Sequence, residues 1–320
     1  MISYLEFEKP IAALDARIAE LRDTAEAADF AGDLDIGSEV RKLEAKSAEL
    51  LAQTYRSLSP WQKTQVARHP TRPHFRDYVA RAFADFVPLG GDRCFGEDQA
   101  IVGGLARLGD RRVMLIGHEK GNDTQSRIRH NFGMGKPEGY RKAVRLMEMA
   151  SRFGLPVVTL VDTSGAFPGV EAEERGQAEA IARATDVSLS LGTPSVAVVV
   201  GEGGSGGALA IAACNKVLML EHAIYTVASP EAAASILWRD SSRAQDAATS
   251  MKITAQDLLK FGIIDAIVPE PVGGAHRDPP AAVEATGRAV AGALDQLSNM
   301  SREELRDARA QKFLAMGRKL

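Results

Sequence analysis

Five of the seven residues from Gly201 to Gly207 in "SVAVVVGEGGSGGALAI" are glycine, and they join a β-branched apolar run to an alanine-rich segment. The apolar run predicts a buried strand and the alanine-rich segment a short helix, so the glycines mark a strand-to-helix turn. Bare backbone at such a turn serves either a bend that side chains would block or the close approach of a ligand to peptide groups. A fold that carries this turn needs parallel strands alternating with helices.

Three chemistries compete for the turn. Gly201, Gly203 and Gly206 match GxGxxG, with Glu221 at the end of the next strand where a ribose-binding carboxylate would stand. The helix is short for that role, and the motif comes late in the chain instead of opening the sheet. The letters "GGSGG" also satisfy GxSxG, which would make Ser205 a nucleophile with Asp257 or Asp265 and then His276 in hydrolase order. A Walker loop fails because Gly207 occupies the lysine position. The third reading uses the main chain: a helix N-terminus offers N–H groups without intrahelical partners at the positive end of the peptide dipoles, which stabilises an oxygen gaining negative charge. A second loop, "DTSGAFPG", ends a strand one strand-helix unit earlier, so parallel neighbours place both loops at the same sheet edge. Asp162 in that loop is expected to be a turn or capping carboxylate.

The rest of the chain bounds what this edge can act on. Thirty-nine Lys and Arg against 42 Asp and Glu leave a formal charge of -3, so no bulk field draws the chain to nucleic acid or an anionic membrane. The apolar runs are too short to span a bilayer and "MISYLEFEKP" has no signal-peptide pattern, so a cytoplasmic protein is expected. Cys94 and Cys214 supply neither a disulfide framework nor zinc knuckles, and no metal is expected on this chain. Ile11, Leu14, Ile18 and Leu21, then Ile36, Val40, Leu43, Leu50 and Leu51, fall at helical spacing around "AADFAGDLD", which predicts an N-terminal helical hairpin over 1–58. Such an arm must lay its apolar stripe on the main body or on another subunit. Ser59 and Pro60 predict an N-cap and first helical residue, and "RPHFRDYVARAFADF" a further helix. "AIVGGLARL" and "RRVMLIGHE" predict a β-hairpin around Gly109 and Asp110. After it, "LPVVTLVD", "SVAVVVGE" and "KVLMLEHAIYTV" alternate with helices "EAEERGQAEAIARATDVSLSL", "GALAIAACN" and "PEAAASILW", an α/β pattern. Main-body and tail boundaries are set at 59–299 and 300–320. Lys120, Arg127, Arg129, His130, Lys136, Arg141, Lys142 and Arg145 form a basic cluster able to grip phosphates of a coenzyme or an acidic carrier, or to serve as salt bridges on a solvated face. His118, beside Glu119, and His222 read as structural.

"LEFEKPI", "ARHPTRPHFRDY", "GMGKPEGYRKA", "DTSGAFPG", "EERGQAEAIA", "GEGGSGGALAI", "SPEAAASILW" and "EPVGGAHRDP", in this order, resemble the family of alpha subunits of the bacterial acetyl-CoA carboxylase carboxyltransferase. The resemblance covers nearly the whole chain and favours the main-chain reading of the glycines. It implies a crotonase-like fold of repeated strand-strand-helix units, in an assembly of two alpha and two beta subunits. It also implies that the beta partner carries the zinc ribbon and holds acetyl-CoA, and that biotin carboxylase loads the biotin carboxyl carrier protein. The carboxyl group of carboxybiotin, which is not attached to this chain, then passes to acetyl-CoA to give malonyl-CoA for fatty-acid synthesis. Cofactor and substrate supply their own base in this chemistry, leaving the protein to stabilise oxyanions in a dry pocket. By motif position the N–H groups of Gly206 and Gly207 receive the biotin oxygen, while Gly165, Ala166, Phe167, Gly204, Ser205 and Ala208 line the pocket. Two residues depart from the family pattern, Ser164 in place of proline and Phe167 in place of tyrosine, which touches fine positioning. The alternatives are a self-contained crotonase-type acyl-CoA hydratase or isomerase, which needs an acid and a base in the pocket, and a scaffold subunit without chemistry.

Overall fold

The computed structural model describes residues 3–27 and 33–318. Helices α1 (Lys9–Ala27) and α2 (Asp33–Arg56) form the expected hairpin and pack on each other; its connector falls largely on 28–32, outside the described residues. Helix α3 (Pro60–Ala67) starts where predicted: the Ser59 hydroxyl accepts from the Gln62 N–H, the Gln62 side chain accepts from the Ser59 N–H, and Pro60 opens the first turn. Helix α4 (Phe75–Ala82) is shorter than its sequence pattern, because "ADFVP" leaves it to become strand β1 (Ala84–Pro88). Strands β2 (Ile101–Leu108) and β3 (Arg111–His118) pair antiparallel from Leu108↔Arg111 to Ile101↔His118 around the two-residue turn Gly109-Asp110.

Beyond the hairpin come α5 (Thr124–Arg129), α6 (Pro137–Phe153), β4 (Val157–Thr163), α7 (Val170–Glu174), α8 (Gln177–Ser190), β5 (Ser195–Gly204) and α9 (Ser205–Ala212). The chain continues through β6 (Lys216–Leu220), β7 (Ile224–Thr226), α10 (Pro230–Trp238), α11 (Ala244–Ser250), α12 (Ala255–Lys260), β8 (Ala266–Val268), α13 (Pro279–Leu297) and α14 (Arg302–Ala315). Two predicted elements are divided. The helix expected from 171 to 191 breaks at Gly176, whose φ of 78° ends α7 and begins α8. The strand expected from 216 to 227 turns at Glu221 and His222, so β6 and β7 pair with different halves of β5.

The sheet runs β1-β2-β3-β4-β5-β6-β8, antiparallel in its first two pairings and parallel from β3 onward, with β7 alongside the end of β5. Every residue of β4 and β5 is buried, as a parallel sheet covered on both faces requires. Helices α6, α8 and α9 pack together against β2 to β5, and α4 and α13 pack together against β1, β5 and β8. Among the described residues no helix is long and apolar enough to cross a membrane, and no group of three or more His, Cys, Asp or Glu side chains could hold a metal ion. Cys214 is buried and Cys94 exposed.

Two buried histidines, His118 and His276, are held in neutral form. Burial holds His118 down at about 4, and burial, repulsion from His69 once that ring is protonated, and the cations Arg72 and Arg277 hold His276 down at about 3. The unfolded chain takes up these protons near pH 6.5 while the folded one does not, so their contribution is whole above that pH and is lost as pH falls toward 4. Acid titration of unfolding free energy is therefore expected to show loss beginning near pH 6.5. His118→Gln should flatten the part of that slope between pH 6 and 4, worth about 3 kcal/mol at full development.

Candidate active site

The two glycine loops meet at the C-terminal edge of β4 and β5. Their pairing slips between Val161↔Val199 and Thr163↔Gly203, so that Asp162 alone faces the three residues 200–202. The slip brings the loops into contact: a Cβ placed on Gly204 would lie 2.1 Å from the Ser164 carbonyl oxygen, and one on Gly207 would lie 2.6 Å from the Ala166 nitrogen. One on Gly201 would lie 2.5 Å from Asp162 Oδ1. These glycines are required by neighbouring main chain and by the Asp162 carboxylate, before any ligand is considered.

Helix α9 begins against this contact with Gly204 as its N-cap, which offers no side-chain acceptor. Gly206 and Gly207 stand in the first turn of α9, where N–H groups have no acceptor within the helix, and no side chain caps them among the described residues. Ser205 is exposed and held at φ 52°, a left-handed conformation that costs a non-glycine residue roughly 1–2 kcal/mol. Gly206 is half-buried, with Ile181 Cγ2 facing its α-carbon, while Gly207 and Ala208 are buried behind it.

Ser205 and Gly206 form one end of a pocket of about 430 Å³ whose other walls are Leu209, Tyr225, Thr226, Val227, Met251, Lys252, Ile253, Leu258 and Ile263. Burial pushes the Tyr225 phenol up to about 12, so it stays protonated. No aspartate, glutamate or histidine lines this pocket. Gly165, Ala166 and Phe167 lie outside its lining, although Gly165 and Ala166 pack directly on Gly204 and Gly207. The Thr163 hydroxyl donates to the Gly165 carbonyl at 2.7 Å and accepts from the Gly165 N–H, fixing the first loop. Phe167 donates its N–H to the Gly135 carbonyl, and the Gln177 amide clamps both segments by donating to the carbonyls of Gly135 and Phe167.

Beneath the loops lies a charged network that sequence reasoning missed. Asp162 is buried at the centre of an ion-pair cluster and is not a turn carboxylate. It lies 2.8 Å from Lys120 Nζ and 3.3 Å from His74 Nδ1, and accepts from the Glu202 N–H. Desolvation alone would raise its carboxyl, yet Lys120 and His74 hold it well below the usual carboxylate range. Glu202, also buried, accepts twice from Arg68. A glutamate inside an apolar strand was the available signal; its partners, far away in sequence, were not. Most of the basic cluster is likewise spent on structure: Lys142 pairs with Glu97, Arg141 with Asp92, Lys136 with Glu171, and Arg145 donates to the carbonyls of Leu89, Gly90 and Gly91.

The competing readings of the glycines are not assembled. The Glu221 carboxylate accepts from the Glu270 N–H, away from the glycine turn. His276 stacks on His69 with ring centroids 3.9 Å apart, Asp257 caps α12 with Thr254, and Asp265 binds the Val217 N–H and Lys312. None of them hydrogen-bonds Ser205.

A strand-helix turn with uncovered amides, on a largely parallel sheet extended by a β-hairpin, defines the class: an α/β protein of the crotonase-like carboxyltransferase fold. The transcarboxylase 12S structure shares this fold with a TM-score of 0.58 at 20% identity, over 71% of this chain and 42% of that one. The beta subunit of Pseudomonas aeruginosa geranyl-CoA carboxylase has a TM-score of 0.55 at 19% identity, over 78% of this chain and 46% of that one. A chain of a Pseudomonas malonate decarboxylase hetero-tetramer in complex with coenzyme A has a TM-score of 0.55 at 18% identity, over 68% of this chain and 87% of that one. Sequence narrows the class further. The family model described as acetyl co-enzyme A carboxylase carboxyltransferase-like matches residues 4–317. The acetyl-coenzyme A carboxylase carboxyl transferase subunit alpha of Rhizorhabdus wittichii is 68% identical over 99% of this chain and the whole of that protein. Its namesake from Azorhizobium caulinodans is 64% identical over the full length of both. The chain belongs to this family of carboxyltransferase alpha subunits.

Two substitutions test the loop contact. Gly204→Ala should destabilise by about 3 kcal/mol or more, because the added methyl meets the Ser164 carbonyl rather than a yielding side chain. Ser205→Gly should stabilise by up to about 1 kcal/mol, relief of φ strain outweighing the added chain entropy. Urea unfolding of both variants measures the two effects.

Proposed function

We propose that this chain, acting with a beta subunit, transfers a carboxyl group from carboxybiotin on a carrier protein to acetyl-CoA, giving malonyl-CoA. The observation that carries the reading is the pair of first-turn amides at Gly206 and Gly207, which no side chain caps and the first of which borders an apolar pocket. The pocket fits the group: apolar walls suit the ring system of biotin, and the one end with uncapped N–H donors suits its ureido oxygen. When bound, carboxybiotin supplies an activated carboxyl group and, once that has left, a basic ureido function.

The chain's own residues position, donate and exclude water. The amides of Gly206 and Gly207 donate to oxygen that gains negative charge, strengthened by the α9 peptide dipoles and by the absence of competing side chains. Leu209, Tyr225, Met251, Ile253, Leu258 and Ile263 keep the pocket dry, which raises the worth of each donor. Gly165, Ala166 and Phe167 act as the buttress of the turn, held by Thr163 and Gln177. Ser205 serves through its strained backbone, and Gly204 and Ala208 through packing. A hydratase needs a carboxylate or histidine in the pocket, and the lining contains neither. The beta subunit as acetyl-CoA holder, the alpha2beta2 assembly, biotin carboxylase, the carrier protein and a cytoplasmic location belong to the same proposal, supported by the family.

Replacing the Gly206 or Gly207 amide by an ester, with glycolic acid incorporated at that position, removes one N–H without adding an atom to the crowded turn. Reverse transfer from malonyl-CoA to biocytin should require both subunits and fall about 10²- to 10³-fold in the ester proteins, with the alpha-beta complex still forming. Ser205→Ala should be mild. Acyl-CoA turnover by the chain alone, or full transfer by the ester proteins, would contradict the proposal.

A further inference from the structure

A second pocket, of about 220 Å³, shares no lining residue with the apolar pocket. Arg68, His74, Lys120, Arg127, Phe132, Ser164 and Glu202 are its chemically distinctive walls. Two of its three permanent cations are already neutralised: Lys120 by Asp162 and Glu202, and Arg68 by Glu202 and Glu231 at 2.7 and 2.6 Å. Arg127 is not. Among the described residues it has no carboxylate within 4.0 Å and makes only two long contacts, of 3.4 Å each, to the carbonyls of Gly121 and Pro70. The Ser164 side chain is exposed and its hydroxyl has no partner among the described residues. His74 is buried, donates from Nδ1 to the Asp162 carboxylate, and leaves Nε2 without a partner among the described residues.

The rim adds an apolar element held at a cost. Asn131 and Phe132 are consecutive non-glycine residues at φ 47° and 54°, and Phe132 is 51% exposed at the pocket mouth. Side chains in that conformation are strained, and here the strain holds an aromatic ring at the mouth of a polar pocket.

We propose that this pocket binds a small monocarboxylate with a short apolar tail. One free guanidinium matches one carboxylate, in the forked geometry that arginine favours. With Lys120 and Arg68 already paired, one cation is left to balance one negative charge, which argues against phosphate. Ser164 adds a hydroxyl donor, and Phe132 covers the tail. The volume falls below that of ordinary coenzyme sites, so the ligand is an acid of a few carbons. Ser164 stands where the family pattern resembled above has proline, so the hydroxyl would be a feature of this chain rather than of the family at large.

Saturation-transfer NMR on the assembled alpha-beta complex, with butyrate as the probe and inorganic phosphate as the competitor, tests this directly. The wild-type complex should saturate butyrate protons. Arg127→Gln should weaken binding at least five-fold, Phe132→Ala should reduce transfer to the terminal methyl, and Arg127→Lys should retain part of the affinity. Equimolar phosphate should not displace the probe. Absence of signal in the wild type, a signal unchanged in Arg127→Gln, or displacement by equimolar phosphate would overturn the proposal. Because biocytin carboxylation reports on the other pocket, Arg127→Gln should leave that activity intact, which separates failure here from failure of the transferase reading.

Discussion

The close approach of the Ser164 carbonyl to the α-carbon of Gly204 governs the architecture of this edge. It follows from the register slip between β4 and β5, which sets Asp162 against three residues of its neighbour and carries the end of β5 under the first loop. A side chain at 204 or 207 would collide with the main chain of the first loop, and one at 201 with the Asp162 carboxylate. With the strands together, α9 starts without a side-chain cap. The glycine run is thus a packing requirement, and at the same positions it keeps the first turn of α9 clear of side chains, as the proposed chemistry needs.

The charges below the loops fix where that edge sits. Burying Asp162 and Glu202 costs desolvation that Lys120, His74 and Arg68 offset, and pairs of this kind specify position more than they stabilise. They join α3, the segment before α4, the end of β3 and both loops, so several distant parts of the chain must be in place before the turn is formed. The hairpin of α1 and α2 is anchored separately, through Tyr55, Leu58 and Val66 and through Glu8, which accepts from Tyr55 and Arg277.

Much of this was legible in the sequence because the signals were local. The strand-glycine-helix turn, the Ser59 cap, the Gly109-Asp110 hairpin and the placement of both loops on adjacent parallel strands depend on residues near one another in the chain. The misses were of two kinds. Gly176 and the turn at Glu221-His222 interrupted patterns that periodicity alone carried through, since an αL glycine and a tight turn leave hydrophobic spacing nearly unchanged. Asp162 read as a turn residue because its partners lie at 74, 120 and 202 and meet it only in the folded chain. The apolar pocket was illegible for the same reason: its walls come from α9, β7, the segment around Met251 to Ile253, and α12 and its following turn. The resemblance to a family supplied the ligand, which no spacing of glycines could name.

The central claim is that main-chain amides at the start of α9 bear directly on the ureido oxygen of biotin. Isotope-edited infrared spectroscopy of biocytin labelled with ¹³C at the ureido carbonyl, bound to the alpha-beta complex, reads that bond without turnover. The account predicts a carbonyl band displaced below its position in water. A band in the bound state that coincides with the aqueous one would contradict it.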